Sequence, residues 1–303
     1  MSFALLFSGQ GTQHPAMLPW LADDERVRDT CARLGIDDWR RALADPFWAE
    51  RNDNAQTLLT GLALAAWGQL APLIIPSPAA VAGYSVGELA AFSAAGVIEP
   101  ATAAALAPLR AEAMDRCAAR VPGGLLAISG ISEPELERLR VKAGVELAIR
   151  NGGPNVILGG PLVALEDAER MAVAAGAQCT RLRVNVASHT SWMREAAESF
   201  SRTLADVPFH APQVALFSNA ADRIRDASSG RAALAAQIAR TVRWDECMEN
   251  VMARQVRCVL EIGPGQALAR MWNQRCPTVP ARACDDFRSP AAIAAWLSSH
   301  ADR

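Results

Sequence analysis

The chain of 303 residues has one lysine, Lys142, and one tyrosine, Tyr84. Nearly all of its positive charge is therefore arginine, and 30 basic against 32 acidic residues leave a formal charge of −2. That balance excludes a whole-chain electrostatic drive toward nucleic acid or a membrane surface. Its seven cysteines include no Cys-x-x-Cys pair, which removes the usual zinc and redox spacings, so no metal is expected. Residues 1 to 7 lack the basic flank and long apolar core of an export signal, so the cysteines read as reduced thiols of a cytoplasmic protein. The apolar stretch 58–75 is interrupted by Gly61, Gly68 and Pro72 and followed by Pro76, which points to a buried helix instead of a membrane span. There is no internal repeat, low-complexity tract or charge run, and the length suits one large domain or two modest ones.

What is present centres on Gly83-Tyr84-Ser85-Val86-Gly87. The apolar residues 79–82 read as a short buried strand, and the Ala-rich segment after Gly87 reads as a helix. Gly-x-Ser-x-Gly between strand and helix is a nucleophile elbow, with glycines where side chains would collide with neighbouring strands. The elbow also sets Ser85 at a helix N-terminus, where backbone N–H groups favour an anion. A loop serine between two chance glycines is the alternative, and the flanking elements weigh against it. The opening strand, residues 3–8, runs into Gly9-Gln10-Gly11-Thr12-Gln13. That loop lacks the third glycine of a dinucleotide fingerprint and the lysine of a P-loop, so nucleotide binding is rejected. It is better suited to give a backbone N–H to an oxyanion.

Of the four histidines, at 14, 189, 210 and 300, His189 follows a strand at a domain junction and is the candidate general base. A buried, hydrogen-bonded structural histidine is its ordinary alternative. No Asp or Glu between Ser85 and His189 follows a convincing main-sheet strand, so a triad acid is missing. Residues 100–119 read as a helix that Pro108 should kink just before Arg110. Arg110 and Met114 are four apart and share a face, although a solvated helix arginine is the ordinary reading of Arg110.

Residues 123–187 follow a β-α-β-β-α-β order, the rhythm of a ferredoxin-like unit, with its last strand expected over 180–186. The expected architecture is α/β. An α/β-hydrolase-like main domain with a mainly parallel sheet, residues 1–119 and 188–303, would carry an inserted ferredoxin-like α+β subdomain, residues 120–187. The insert would be a separate four-stranded antiparallel layer with two helices on one face, and the cleft between the two parts would hold Ser85.

Taken together these motifs resemble those of malonyl-CoA:acyl-carrier-protein transacylases along nearly the whole chain. The matched pieces are residues 9–13, residues 83–88, Arg110-x-x-x-Met114, Asn151, Ser188-His189, Gln237 followed by Val242-Arg243-Trp244, and Glu261-Ile262-Gly263-Pro264-Gly265. The resemblance implies a malonyl ester on Ser85, with His189 as base oriented by the backbone carbonyl of Gln237. It implies an oxyanion hole from the N–H groups of Gln10 and Val86, and a substrate site that includes Arg110, Met114 and Asn151. Arg110 would make two parallel bonds to the free carboxylate of malonate. It also implies malonyl-CoA as substrate, no cofactor, and an acyl carrier protein as partner. Three features depart from the usual pattern. Tyr84 stands where His is usual, Ala187 stands where Pro is common, and residues 186–189 are similar to methylmalonyl-selective acyltransferases. Tyr84, the opening Gly-Gln-Gly-Thr-Gln-His-Pro and the stretch Asp285-Asp286-Phe287-Arg288-Ser289 look more like the epsilon subunit of malonate decarboxylase, which would add other decarboxylase subunits as partners; the same transacylase serving fatty-acid synthesis is the alternative. A serine thioesterase or other hydrolase, and a non-catalytic carrier-docking subunit, are the rival classes. Retention of Ser85, His189 and Arg110 together argues against the second.

Overall fold

The computed structural model describes residues 2–301. Eleven strands follow in chain order: β1 (Phe3–Phe7), β2 (Ala80–Gly83), β3 (Gly123–Ser129), β4 (Glu146–Gly152), β5 (Asn155–Pro161), β6 (Gln178–Arg181), β7 (Ala215–Phe217), β8 (Arg223–Ile224), β9 (Val242–Arg243), β10 (Cys258–Ile262) and β11 (Ala281–Ala283). They form two sheets. The first has the order β11-β10-β1-β2-β7-β8, parallel throughout except for β8 at one edge. A parallel sheet covered by helices on both faces needs strands that are apolar on every side. The sequences Phe-Ala-Leu-Leu-Phe of β1 and Ala-Val-Ala-Gly of β2 meet that demand and are wholly buried.

The helix Asn52–Leu70 buries nearly its whole circumference, because small and apolar residues surround it on all sides. It packs against the helix Pro100–Ala118, which runs through Pro108 unbroken.

The second sheet has the order β6-β3-β5-β4-β9. The four strands from residues 123–181 are antiparallel neighbours. Helices Glu133–Ala143 and Leu162–Ala174 bury Leu136, Leu139, Leu165 and Ala168 in a cluster with Leu126, Ile128, Val156 and Leu158, separate from the core of the main sheet. Two expectations are corrected. The layer has five strands, because β9, from far along the chain, pairs parallel with β4. The strand expected over 180–186 ends at Arg181. Beyond it Leu182 still donates to the carbonyl of Leu125, but 183–188 has no strand to pair with and runs irregularly into the cleft.

No helix among the described residues is long and apolar enough to cross a membrane.

Candidate active site

Ser85 follows β2 on a turn whose tightness can be stated in atoms. A Cβ on Gly83 would lie 2.3 Å from the backbone of Gly87, and one on Gly87 would lie 2.4 Å from the carbonyl oxygen of Phe7. Ser85 itself sits at φ 55°, in the left-handed region that a side chain rarely adopts. Strain of this kind persists only where the surroundings over-determine the backbone. Here β1 and β7 flank the strand, and the helix Gly87–Ala94 begins immediately afterwards.

His189 meets the serine from the irregular segment, also at positive φ, 64°. Its Nε2 lies 2.7 Å from Ser85 Oγ. Its Nδ1 lies 2.6 Å from the carbonyl oxygen of Gln237, the C-cap of the helix Ala227–Ala236. A carbonyl can only accept, so it fixes the proton on Nδ1 and leaves Nε2 free to take the serine proton. The backbone N–H of His189 donates to the carbonyl of Ile238 at 2.8 Å, a second tie to the same segment. Burial, then the nearby Arg110 cation, press the imidazole pKa down to about 3 against the opposing carbonyl bond. The ring is therefore neutral at neutral pH.

Arg110 is 1% exposed, which overturns its reading as a solvated arginine. Its Nη1 donates to Gln56 Oε1 at 2.6 Å and its Nη2 to Gln237 Oε1 at 3.3 Å. Its Nε has no partner. Both partners are neutral amides, and no carboxylate among the described residues forms an ion pair with it. Burial lowers its pKa to about 10, an effect that Glu88 partly offsets. Arg110, Met114, Gln10, Ser85 and His189 line one narrow cavity, with Leu182, Val184 and Val186 from the irregular segment closing it. Among the described residues the backbone N–H groups of Gln10 and Val86 donate to nothing, and the side-chain Nε2 of Gln10 is also without a partner. Asn151 lies outside this cavity. Its Oδ1 accepts the Tyr84 hydroxyl at 3.0 Å, and the Tyr84 ring stacks edge-on against Trp244 with centroids 5.2 Å apart.

Sequence reasoning passed over Gln56 and Asn219, and gave Glu88, the last residue of the matched motif 83–88, no role. Gln56, inside an apolar helix, orients Arg110. Asn219, two residues past β7, bonds to the elbow at Gly83 and Ser85, on either side of Tyr84. Glu88, 0% exposed, accepts the Asn219 backbone N–H at 2.6 Å, and burial raises its pKa to about 7. A polar residue at the carboxyl end of the strand neighbouring the elbow strand was the available signal for Asn219.

An α/β sheet that presents a serine and a neutral histidine in this way defines the class of enzymes that attack acyl groups with a serine. Residues 43–285 match the family described as Acyl transferase domain. A malonyl CoA-acyl carrier protein transacylase of Salmonella typhimurium is 31% identical over 98% of this chain and 99% of its own length. An acyl-carrier-protein S-malonyltransferase structure from Burkholderia pseudomallei 1710b has a TM-score of 0.86 at 30% identity, covering 97% of this chain and all of that one. A malonyl-transacylase solved in complex with its type II PKS acyl-carrier protein has a TM-score of 0.87 at 28% identity, covering 99% and 100%. The chain is an acyltransferase and belongs to the malonyl-CoA:acyl carrier protein transacylase family.

Proposed function

We propose that the protein moves a malonyl group from malonyl-CoA to the phosphopantetheine-type thiol of an acyl carrier protein through a malonyl ester on Ser85. Ser85 Oγ attacks the thioester carbonyl while His189 Nε2 takes its proton, and the Gln237 carbonyl holds the imidazolium that results. The tetrahedral oxyanion faces the backbone N–H groups of Gln10 and Val86, donors with no competing partner. His189 returns the proton to the departing CoA sulfur. The carrier thiol then attacks the ester by the reverse sequence. The free carboxylate of the acyl group pairs with Arg110, with Met114 packing beside it. Asn151 contributes through Tyr84, which lines the cavity.

The observation that carries this reading is the buried guanidinium of Arg110, partnered only by amide oxygens in the cavity of Ser85. A buried cation without an anion is costly, and a substrate carboxylate would remove that cost. We also propose that residues 120–187 form a subdomain inserted into a catalytic domain of residues 1–119 and 188–303, supported by its separate buried cluster.

For the partner, the names of the relatives support an acyl carrier protein, and a carrier of the fatty-acid type is the first reading. A second reading, the carrier of a malonate decarboxylase with its other subunits, is favoured by the unusual Tyr84 and by Asp285. Asp285 ties the Gly-rich opening to the region near the end of the chain: its Oδ2 lies 3.2 Å from His14 Nε2 and accepts Gly265 N–H at 2.8 Å, and its Oδ1 accepts Leu18 N–H at 2.7 Å. Intact-protein mass spectrometry with malonyl-CoA tests the chemistry. The wild type should gain one malonyl and lose it to a carrier, and Ser85→Ala should gain none. Malonyl gain by Ser85→Ala sinks the assignment, and release of free malonate without a carrier makes the protein a hydrolase. Offering both carrier types in competition decides the pathway.

A further inference from the structure

Three of the hydrogen bonds of Asn219 bear on the nucleophile turn; its carbonyl also accepts the Arg243 backbone N–H at 3.1 Å, and its Nδ2 lies 3.9 Å from Cys247 Sγ. Its Oδ1 accepts the backbone N–H of Ser85 at 2.7 Å. Its Nδ2 donates to the carbonyl of Gly83 at 2.6 Å. Its own backbone N–H donates to Glu88 Oε1 at 2.6 Å, on the first turn of the helix that follows the elbow. Asn219 is 1% exposed and Glu88 0%. One primary amide thus spans the residues on either side of Tyr84, at a turn where Ser85 holds a positive φ. An amide is suited to this because it offers an acceptor and a donor on one rigid plane.

We propose that Asn219, itself anchored by Glu88, is a positioning residue that holds Ser85 in its attacking conformation and withdraws the Ser85 N–H from the oxyanion site. The withdrawal follows from the first bond. A Ser85 N–H already engaged at 2.7 Å is not available to a developing oxyanion, whereas those of Gln10 and Val86 are unengaged. The division of labour among the three backbone donors is therefore set by one side chain from a neighbouring strand. Removing it leaves Ser85 free to relax toward negative φ, which would swing Oγ away from His189 Nε2.

This inference rests on Ser85 as the nucleophile but not on malonyl as the acyl group, so the test uses both malonyl-CoA and a fluorophosphonate that labels reactive serines. Asn219→Ala should keep its KM for malonyl-CoA and lose roughly 10²-fold in kcat and in labelling rate, the scale of a misplacement near 1 Å. Asn219→Asp supplies the readout that a merely structural role would not move. A protonated carboxyl reproduces both amide bonds, and an ionised one can no longer donate to Gly83. The groups facing that position are Glu88, the Cys247 thiol at 3.9 Å, His189 across Ser85, Arg110 beyond Glu88, and, from the open pocket on its other side, Arg150, Arg240, Arg243, Asp222 and Glu246. A carboxylate beside buried Glu88 resists ionisation, so Asn219→Asp should label well at acid pH and lose labelling as pH rises, a limb absent from the wild type. An Ala variant with wild-type kcat, a rise in KM at unchanged kcat, or an Asp variant with the wild-type pH profile overturns the proposal. If the Ala variant does not fold, the Asp profile alone decides it. Wild type that takes the fluorophosphonate but not malonyl-CoA would refute the malonyl reading and leave this one standing.

Discussion

Arg110 and His189 share one small space with opposite needs. The cation favours an anion, and it disfavours a second cation on the imidazole. Replacing Arg110 by Ala should cut kcat/KM for malonyl-CoA by the equivalent of roughly 2–5 kcal/mol, the range for losing one partner of a buried charge pair, and should leave acetyl-CoA equal or better. Equal losses for both substrates would make Arg110 structural. His189 yields a stability prediction whose sign follows from its lowered pKa. Between its ordinary 6.5 and about 3 the unfolded chain takes up a proton that the folded chain excludes. Its contribution to stability is therefore complete above pH 6.5 and is lost as pH falls toward 3. Denaturant titrations across that window should show a shallower acid decline in His189→Gln than in the wild type.

At the scale of elements, Glu261 does for the Gly-rich loop what Asn219 does for the elbow. Buried at the end of β10, it accepts Ser8 Oγ–H at 2.8 Å and the N–H groups of Leu268 and Ala269 at 3.2 and 2.8 Å, so it fixes the residue from which the loop to Gln10 departs. Burial raises its pKa from 4.5 to about 7. The sign is opposite to that of His189. The folded state holds the proton more tightly, so the contribution is present below pH 4.5 and is lost as pH rises through about 7. Glu261→Gln should flatten the stability decline over that window, and an unchanged slope would refute the shift.

The elbow, the Gly-rich loop and the histidine were legible in the sequence, because each is a local pattern of glycines or lies at a strand end, whereas the Gln237 carbonyl came only through the family resemblance. Gln56 and Asn219 were not legible. A polar side chain inside an apolar helix, or after a three-residue strand, acquires its meaning only when packing brings a distant partner to it. The fifth strand β9 was missed for the same reason. Two residues carry no periodicity, and their pairing with β4 spans about ninety positions of chain.

At the scale of the molecule, the two sheets meet at few polar bonds. Tyr84 to Asn151 is one, and the backbone N–H of Arg243 in β9 to the carbonyl of Asn219, just past β7, at 3.1 Å is another. Tyr84→Phe should preserve the fold and cost about 1 kcal/mol, the net worth of one hydrogen bond, read as a small drop in the denaturation midpoint at an unchanged m-value. A fall in m would mean that the two sheets had parted.

The run from Gln237 to Arg243 touches both sheets within seven residues. It presents the carbonyl that orients His189, bonds to the histidine backbone through Ile238, and ends as a strand of the second sheet. Such a run works as a tie rod rather than a pivot. Any swing of the second sheet would drag the imidazole off its serine, so a thiol-bearing arm must be admitted by side chains at the mouth while the frame stays shut. On the proposed mechanism the base is thereby insulated from the arrival and departure of the CoA donor and the carrier.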